Sequence, residues 1–224
     1  MIQFNQVSLT LSGKPILKPF DLSIDQARVG IIGSNGGGKS SLVRLINGLL
    51  LPTEGEVLVD GFDTCKARKT VRQKVGFVFQ NPDNQIVMPT VGEDFAFGLK
   101  NKGLSKDEIA SLCEEFLTQY GLWEFKDSPA HLLSGGQKQL LAILGVLATK
   151  PEYIVFDEPT TLLDLRNRKK IAQLIDSLSI KVIMITHDLV LLNNFQRVLV
   201  LDEGVIKVDS SPKEAIKFYE DLMA

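Results

Sequence analysis

The chain has 224 residues, of which 44% are apolar and 23% are charged, and its formal net charge is -2. This composition supports one sizeable hydrophobic core and argues against intrinsic disorder. The charge gives no basic field for nucleic acid, the first four residues lack the features of a secretion signal, and no apolar run approaches the length that spans a bilayer. We therefore expect a cytoplasmic protein that meets a membrane only through a partner.

The first part of the chain predicts strands that lead into a helix. Apolar runs at VSLTL, FDLSI and RVGII indicate strands, and Leu42, Leu45, Ile46 and Leu49 recur at helical spacing. An alternating stretch at residues 56–60 and an apolar run at residues 74–79 indicate two more strands.

The rest of the chain predicts a helical segment and then alternating helices and strands. Residues 104–132 look helical, and Ser105 followed by Glu108 has the spacing of a capping box. Residues 91–135 form the expected helical subdomain within a single domain of residues 1–224. The later segments GGQKQLLAILGVLAT, YIVFDE, RKKIAQLIDSL and KVIMIT alternate between helix and strand, which favours a parallel α/β sheet. A hairpin is expected to turn at Asp202-Glu203-Gly204.

The strongest chemical signal is GSNGGGKSS, which fits the pattern G-x-x-x-x-G-K-[ST] between a predicted strand and a predicted helix. Glycines let successive backbone N–H groups turn toward phosphates, and a helix N-terminus adds positive potential. Lys39 can reach the β- and γ-phosphates, and Ser40 offers a hydroxyl to Mg²⁺. The alternative is a glycine-rich turn without a ligand. The predicted nucleotide-binding residues are Gly33, Ser34, Asn35, Gly36, Gly37, Gly38, Lys39, Ser40 and Ser41.

Two acids end the apolar run YIVFDE. A parallel sheet places its ligand groups at the carboxyl ends of its strands. Asp157 is therefore expected near the metal, and Glu158 is expected to orient and deprotonate an attacking water. An acidic pair at a strand end is also typical of a solvated loop, but the phosphate loop favours the catalytic interpretation.

The segment LSGGQ, directly before an apolar helix, discriminates between classes of nucleotide hydrolase. Ser134 is a good N-cap, and the two glycines expose the N–H groups of the first turn as a second anion site. A chain with one nucleotide does not need two phosphate sites that lie about a hundred residues apart. Two chains arranged head to tail would use both.

Together, LSGGQ, the phosphate loop and VFDEP resemble the ATPase subunit of an ABC transporter, over essentially the whole chain. The resemblance implies an α/β fold, with a P-loop NTPase core of ABC-ATPase type, an antiparallel β subdomain and a helical subdomain. It implies ATP and Mg²⁺ as the ligands, and a second ATPase protomer, with a homodimer as the simpler assumption. ATP would lie between the phosphate loop of one protomer and four residues of the other: Ser134, Gly135, Gly136 and Gln137.

The resemblance also implies roles for three further residues. Gln80 matches the glutamine that contacts Mg²⁺ or water and senses the membrane partner, so the metal residues would be Ser40, Gln80 and Asp157. Asp164, in TLLD, matches the residue through which protomers communicate at the nucleotide. His187, in ITHD, matches the histidine that contacts the γ-phosphate. The implied catalytic residues are Glu158, His187, Lys39 and Gln80.

The amide-rich segment QNPDNQ, followed by TVGEDFAFGLKN, is similar to energy-coupling factor transporters, which import vitamins and metal ions. These contain two ATPases, a membrane coupling protein and a substrate-binding membrane protein, so the chain would lie at the cytoplasmic face of the membrane. The amides would contact the nucleotide and the coupling protein. The alternative is an Asx-rich turn that Pro82 shapes.

Within that group, the compact length and GFVFQNPDNQIV resemble the ATPase of biotin importers, with cobalt or nickel import as the alternative. Leu11 stands where the family stacks an aromatic residue on adenine, which leaves the preference for ATP over GTP open. Two other hypotheses are a soluble ABC ATPase of DNA repair or translation, and a regulatory module that binds nucleotide without hydrolysis. The first would need a long coiled-coil insertion or a second cassette, and intact Lys39, Asp157, Glu158 and His187 argue against the second.

Overall fold

The computed structural model describes residues 1–224, and the chain separates into two compact units. The first unit contains residues 1–77, 152–158 and 178–224, and the second contains residues 78–151 and 159–177. None of the helices is long and apolar enough to cross a membrane.

The first unit contains both β-sheets. One sheet is antiparallel, with the strand order β2-β1-β4-β5, where the strands are β1 (Ile2–Leu11), β2 (Lys14–Ile24), β4 (Glu54–Val59) and β5 (Phe62–Asp63). The other sheet has the order β10-β9-β3-β8-β7-β6, where the strands are β3 (Arg28–Ile32), β6 (Val75–Val78), β7 (Tyr153–Asp157), β8 (Lys181–Ile185), β9 (Arg197–Asp202) and β10 (Val205–Ser210). The predicted α/β architecture with an antiparallel sheet is confirmed.

The six-stranded sheet brings three strand ends to one level. Strand β3 pairs in parallel with β8, and β8 pairs in parallel with β7. In this register Ile185 lies opposite both Ile31 and Asp157. The three strands are almost wholly buried, which explains why their sequences are continuous apolar runs rather than alternating ones. The segments that follow them therefore emerge at the same edge of the sheet.

Three α-helices and a 3-10 helix complete the first unit: α1 (Lys39–Ile46), α2 (Arg68–Lys74), α7 (Pro212–Met223) and the 3-10 helix Leu189–Leu192. Helix α1 buries Leu42, Val43, Leu45 and Ile46. Three of the four predicted positions, Leu42, Leu45 and Ile46, are thus buried, but the fourth, Leu49, lies beyond the end of the helix and is 40% exposed. The turn at residues 202–204 also forms as predicted, between β9 and β10.

The second unit is helical. Its helices are α3 (Val91–Lys100), α4 (Lys106–Gln119), α5 (Gly135–Ala148) and α6 (Leu165–Ser177), with short 3-10 helices at Pro82–Asn84, Trp123–Phe125 and Ala130–Leu132. Helices α3, α4 and α5 share a core that includes Phe95, Leu99, Leu117 and Leu144.

The predicted helical stretch at residues 104–132 is correct at its start and wrong beyond Gln119. Ser105 and Glu108 form the predicted capping box, in which the Glu108 N–H donates to Ser105 Oγ and the Ser105 N–H donates to Glu108 Oε2. Helix α4 then ends, and Gly121 takes a φ of 70°. That left-handed conformation cannot continue a helix, and glycine adopts it at little cost.

A cluster of partly buried polar groups connects the antiparallel sheet to β7. Asp60 Oδ1 accepts from Tyr153 Oη at 2.7 Å and from the Met1 ammonium at 2.5 Å, and Oδ2 accepts from Lys74 Nζ at 3.1 Å. Burial acts to raise the pKa of Asp60, but these three donors outweigh burial and hold the pKa well below its usual range. The cluster therefore stabilises the fold only while Asp60 is ionised.

Asp60→Asn tests this cluster. Asp60 has a φ of 49°, a conformation that Asn tolerates, so the change removes charge without adding backbone strain. We expect the free energy of unfolding in urea to fall by about 1.5–3 kcal/mol at pH 7. Because the unfolded carboxylate has a pKa near 3.9 and the folded one a lower value, the difference between the proteins should shrink below about pH 4.

The control for this change is Glu203→Gln, at an exposed acid that also has a positive φ, 47°. It should leave stability within about 0.5 kcal/mol of the unmodified protein. A loss for Asp60→Asn that does not change between pH 7 and pH 3 would contradict the assignment to the ionised carboxylate.

Candidate functional site

The phosphate loop runs from the end of β3 to the start of α1 and folds around the side chain of Lys39. Lys39 Nζ donates to the backbone oxygens of Gly33 at 2.9 Å and Ser34 at 2.8 Å. Only 6% of Lys39 is exposed, and burial lowers the pKa of its ammonium. Asn35 and Gly36 form the exposed part of the loop. The predicted phosphate-binding residues thus form one loop with an inward-facing cation.

The β9–β10 hairpin supports this loop from outside. A Cβ on Gly33 would lie 1.7 Å from the Leu201 backbone oxygen, so no residue with a side chain fits there. Ser34 Oγ donates to Asp202 Oδ1 at 2.5 Å, and the Gly204 N–H donates to the Gly37 oxygen at 3.1 Å. These contacts hold the loop against the hairpin.

Ser40 and Asp157 meet beside the loop. Ser40 Oγ donates to Asp157 Oδ1 at 2.9 Å, and Arg44 NH2 lies 3.4 Å from Asp157 Oδ2. Asp157 is 2% exposed, and burial raises its pKa, although the Ser40 hydroxyl and the Arg44 charge act to lower it. A hydroxyl and a carboxylate are the hard oxygen donors that suit Mg²⁺, which keeps much of its water and takes few protein ligands. The donor set therefore fits that ion.

Glu158 and His187 lie next to each other at the same edge. His187 Nε2 is 3.3 Å from Glu158 Oε1, and the Glu158 N–H donates to the Ile185 oxygen at 3.0 Å. Glu158 has a φ of 54°, in the left-handed region that costs a residue with a side chain about 1–2 kcal/mol. This conformation turns the chain sharply at the end of β7. The first unit thus brings together Lys39, Ser40, Asp157, Glu158 and His187.

The LSGGQ residues form the start of α5, in the second unit. Ser134 is the N-cap as predicted, and its Oγ accepts from the Gln137 N–H at 3.3 Å while Gln137 Oε1 accepts from the Ser134 N–H at 2.9 Å. This capping box leaves the N–H groups of Gly135 and Gly136 at the tip of the helix. Gly135 is exposed.

Asp164 and LSGGQ are connected through Asn167. Asp164 accepts from the Asn167 N–H and side-chain amide, each at 2.8 Å, and these hydrogen bonds, led by the backbone one, lower the pKa of Asp164. A Cβ on Gly136 would lie 2.3 Å from Asn167 Cγ. Gly136 therefore lets α6 approach the start of α5, a role that the sequence did not indicate.

Gln80 lines a cavity of about 120 Å³ within the second unit. The cavity is also lined by Gly135, by Gln139 of α5 and by Leu162 and Leu163, which precede Asp164. Gln139 is 1% exposed, and no protein acceptor reaches its Nε2. The cavity thus connects Gln80, LSGGQ and the segment before Asp164.

The amide-rich segment is largely used for its own folding. Asn81 Oδ1 accepts from the Asp83 N–H at 2.9 Å, which is the Asx turn of the alternative interpretation. Gln85 Nε2 donates to the Ala142 oxygen at 3.0 Å, and Lys138 Nζ pairs with Asp83 at 2.7 Å. Asn84 and Val87 are exposed, with 63% of Val87 accessible.

Three residues of the site were missed by sequence analysis: Arg44, Asn167 and Asp202. Arg44 lies one helical turn after Ser40, a spacing that could have indicated a shared target. Asn167 lies against Gly136 and Asp202 bonds Ser34, and no local pattern indicates contacts between segments so far apart in the sequence.

The family profile for ABC transporters matches residues 17–161 of this chain. The chain belongs to the ABC transporter family and is an ATP hydrolase of that family. A Deinococcus radiodurans protein, named only provisionally as an ABC transporter ATP-binding protein, is 54% identical over 100% of this chain and 99% of that protein. The biotin transport ATP-binding protein BioM of Rhizobium etli is 46% identical over 100% and 99% of the two chains. The energy-coupling factor transporter ATP-binding protein EcfA1 of Caldanaerobacter subterraneus is 47% identical over 93% and 78%.

Solved structures agree with this assignment. The cbiO1 protein from Clostridium perfringens, described as part of the ABC transporter complex cbiONQ, superposes with a TM-score of 0.83 at 34% identity over 99% of this chain and 92% of that one. The ATP-binding cassette MJ0796, solved as a dimer in a post-hydrolysis state with ADP and phosphate, also gives 0.83, at 31% identity over 95% and 99%. The ABC ATPase fold and ATP as its ligand follow.

The two glycines of LSGGQ make a matched pair for a test of the ABC ATPase. Gly136→Ala should lower the free energy of unfolding by about 1–3 kcal/mol, because its methyl group meets Asn167. Gly135→Ala should be nearly neutral, since nothing lies within 4 Å of its Cβ position. Urea unfolding measures both.

A second substitution identifies the cause. In a protein that already carries Asn167→Ala, the Gly136→Ala substitution should lower the free energy of unfolding much less than it does in the unmodified protein, because the clash is gone. Equal losses for the two glycine variants, or strictly additive losses in the double variant, would contradict the close packing of α5 on Asn167.

Proposed function

We propose that two copies of this chain hydrolyse ATP to power an importer of the energy-coupling factor type, with biotin as the cargo. The catalytic part of the proposal rests on two contacts at one edge of the sheet, that of Ser40 with Asp157 and that of Glu158 with His187. The relatives named for biotin transport and for energy coupling support the importer. Cobalt or nickel import is the alternative cargo.

In this proposal the nucleotide phosphates lie on the phosphate loop, where Lys39 exchanges its bonds to Gly33 and Ser34 for bonds to the β- and γ-phosphates. Ser40 and Asp157 would hold Mg²⁺, with Gln80 as the further ligand that the resemblance implies, and the ion would neutralise charge on the phosphates. Glu158 accepts a proton from the water whose oxygen attacks the γ-phosphorus, while the bond to the bridging oxygen breaks and ADP leaves with that electron pair. His187 holds Glu158 in place and donates to the γ-phosphate.

The second protomer supplies Ser134, Gly135, Gly136 and Gln137 to the γ-phosphate. The N–H groups at the start of α5 are suited to an anion. Leu162 and Leu165, on either side of Asp164, are 64% and 67% exposed. Large exposed apolar side chains of this kind are typical of surfaces that another protein covers. The dimeric state of the solved cassette MJ0796 agrees with this arrangement.

Glu158→Gln tests the catalytic assignment. The variant should bind ATP with unchanged or tighter affinity, lose steady-state hydrolysis by at least about a hundredfold, and accumulate as a dimer on size exclusion with ATP. Glu152→Gln is the matched control, because this exposed acid precedes the other end of β7. Turnover in Glu158→Gln similar to that of the control would remove Glu158 as the base.

The importer is tested by capturing tagged protein from gently solubilised native membranes and identifying its companions by mass spectrometry. A coupling protein with a biotin-binding membrane protein should follow it. A cobalt- or nickel-type membrane set would change the cargo and keep the mechanism. Recovery of soluble proteins or nucleic acid alone would contradict the importer.

The surface that meets the membrane partner is proposed to include Asn84 and Val87, because Asn81 and Gln85 already have partners within the second unit. Val87→Ser should reduce recovery of the coupling protein several-fold and leave the ATPase rate of the isolated protein unchanged. Leu222→Ser, at an exposed apolar residue of α7, is the control and should retain the partner. Equal recovery with both variants would exclude Val87 from the interface.

A further inference from the structure

Arg44 shares its target with Ser40. Both residues are on α1, four positions apart, so their side chains lie on the same face of the helix. Ser40 Oγ reaches Asp157 Oδ1 at 2.9 Å, and Arg44 NH2 reaches Asp157 Oδ2 at 3.4 Å. The buried carboxylate thus has a hydroxyl on one oxygen and a cation on the other.

The guanidinium is held loosely. A distance of 3.4 Å is long for a charge-assisted hydrogen bond, which is usually about 2.7–2.9 Å. The Nε of Arg44 is buried and meets no acceptor, while 42% of the whole side chain is exposed. A cation with one long contact, an unsatisfied donor and a path to solvent can withdraw from Asp157 at little cost.

We propose that Arg44 is a positioning residue that serves as the counter-ion of Asp157 until Mg²⁺ arrives, and that it competes with Mg²⁺ for this carboxylate. A buried carboxylate needs a compensating charge, and Arg44 supplies it in the absence of the metal. Two cations at Asp157 repel each other, so the Arg44 contact and the binding of Mg²⁺ weaken one another. Arg44 then sets how much Mg²⁺ the site requires. The inference rests on the proposed Mg²⁺ role of Asp157.

The test compares the affinity for a fluorescent ATP analogue with excess EDTA and with saturating Mg²⁺. The ratio of the two Kd values reports how much the metal strengthens binding of the analogue. The affinity of Mg²⁺ for the free analogue is the same in every measurement, so it does not affect the comparison between variants. Removing the competing cation in Arg44→Met should raise this ratio by about two- to fivefold, the range for a partly exposed ion pair. Arg44→Lys keeps the charge and should restore the ratio of the unmodified protein.

Arg72→Met is the matched control. Arg72 donates to the Asn47 and Gly48 oxygens near the end of α1 and has no contact with Asp157. Its loss should leave the Kd ratio unchanged even if stability falls, and circular dichroism of each variant verifies folding. A ratio in Arg44→Met that is unchanged or lower than in the unmodified protein would overturn the competition.

Asp157→Asn separates the proposed Mg²⁺ role of Asp157 from the proposed role of Arg44. If Asp157→Asn lowers the ratio but Arg44→Met does not raise it, the Mg²⁺ site stands and the role of Arg44 is overturned. If the ratio is unaffected by Asp157→Asn, the proposed Mg²⁺ role of Asp157 fails, and the inference fails with it.

Discussion

The parallel pairing of β8 with β3 on one side and β7 on the other is the constraint on which the catalytic edge depends. Ile185 lies opposite Ile31 and Asp157 in one register. The phosphate loop, Glu158 and His187 therefore start from the same level of the sheet. A slip of one residue in either pairing would turn every side chain of the strand to the opposite face and separate these groups.

Local signals explain most of what the sequence predicted. The phosphate loop, the capping box at Ser105, the N-cap at Ser134 and the buried strands depend on residues within a few positions of one another. The wrong extension of α4 beyond Gln119 has a simple cause. Apolar residues continue after that point, but Gly121 reverses the backbone, and the following residues pack as short 3-10 turns. The spacing of hydrophobic residues alone does not reveal such a reversal of the backbone.

The contacts that the sequence could not indicate are those between distant segments. Asp202 accepts a hydrogen bond from Ser34, which is 168 positions earlier in the sequence, and the sequence around Asp202 indicates only an ordinary hairpin turn. Gly136 looked like a residue that exposes backbone N–H groups, yet it also makes room for Asn167. Asn81 and Gln85 were expected to face partners, and their hydrogen bonds lie within their own unit. In each case the side chain's chemistry was evident and its partner was not.

The hydrogen bonds of Lys39 have a consequence for the thermodynamics of nucleotide recognition. The ammonium already occupies the centre of its own loop through the oxygens of Gly33 and Ser34. These hydrogen bonds order the loop, so little conformational entropy is left there for ligand binding to remove. The ammonium instead exchanges neutral acceptors for phosphate oxygens, so the gain comes from the difference between two sets of hydrogen bonds. This arrangement favours ligands with a full negative charge at that position over neutral molecules of the same shape.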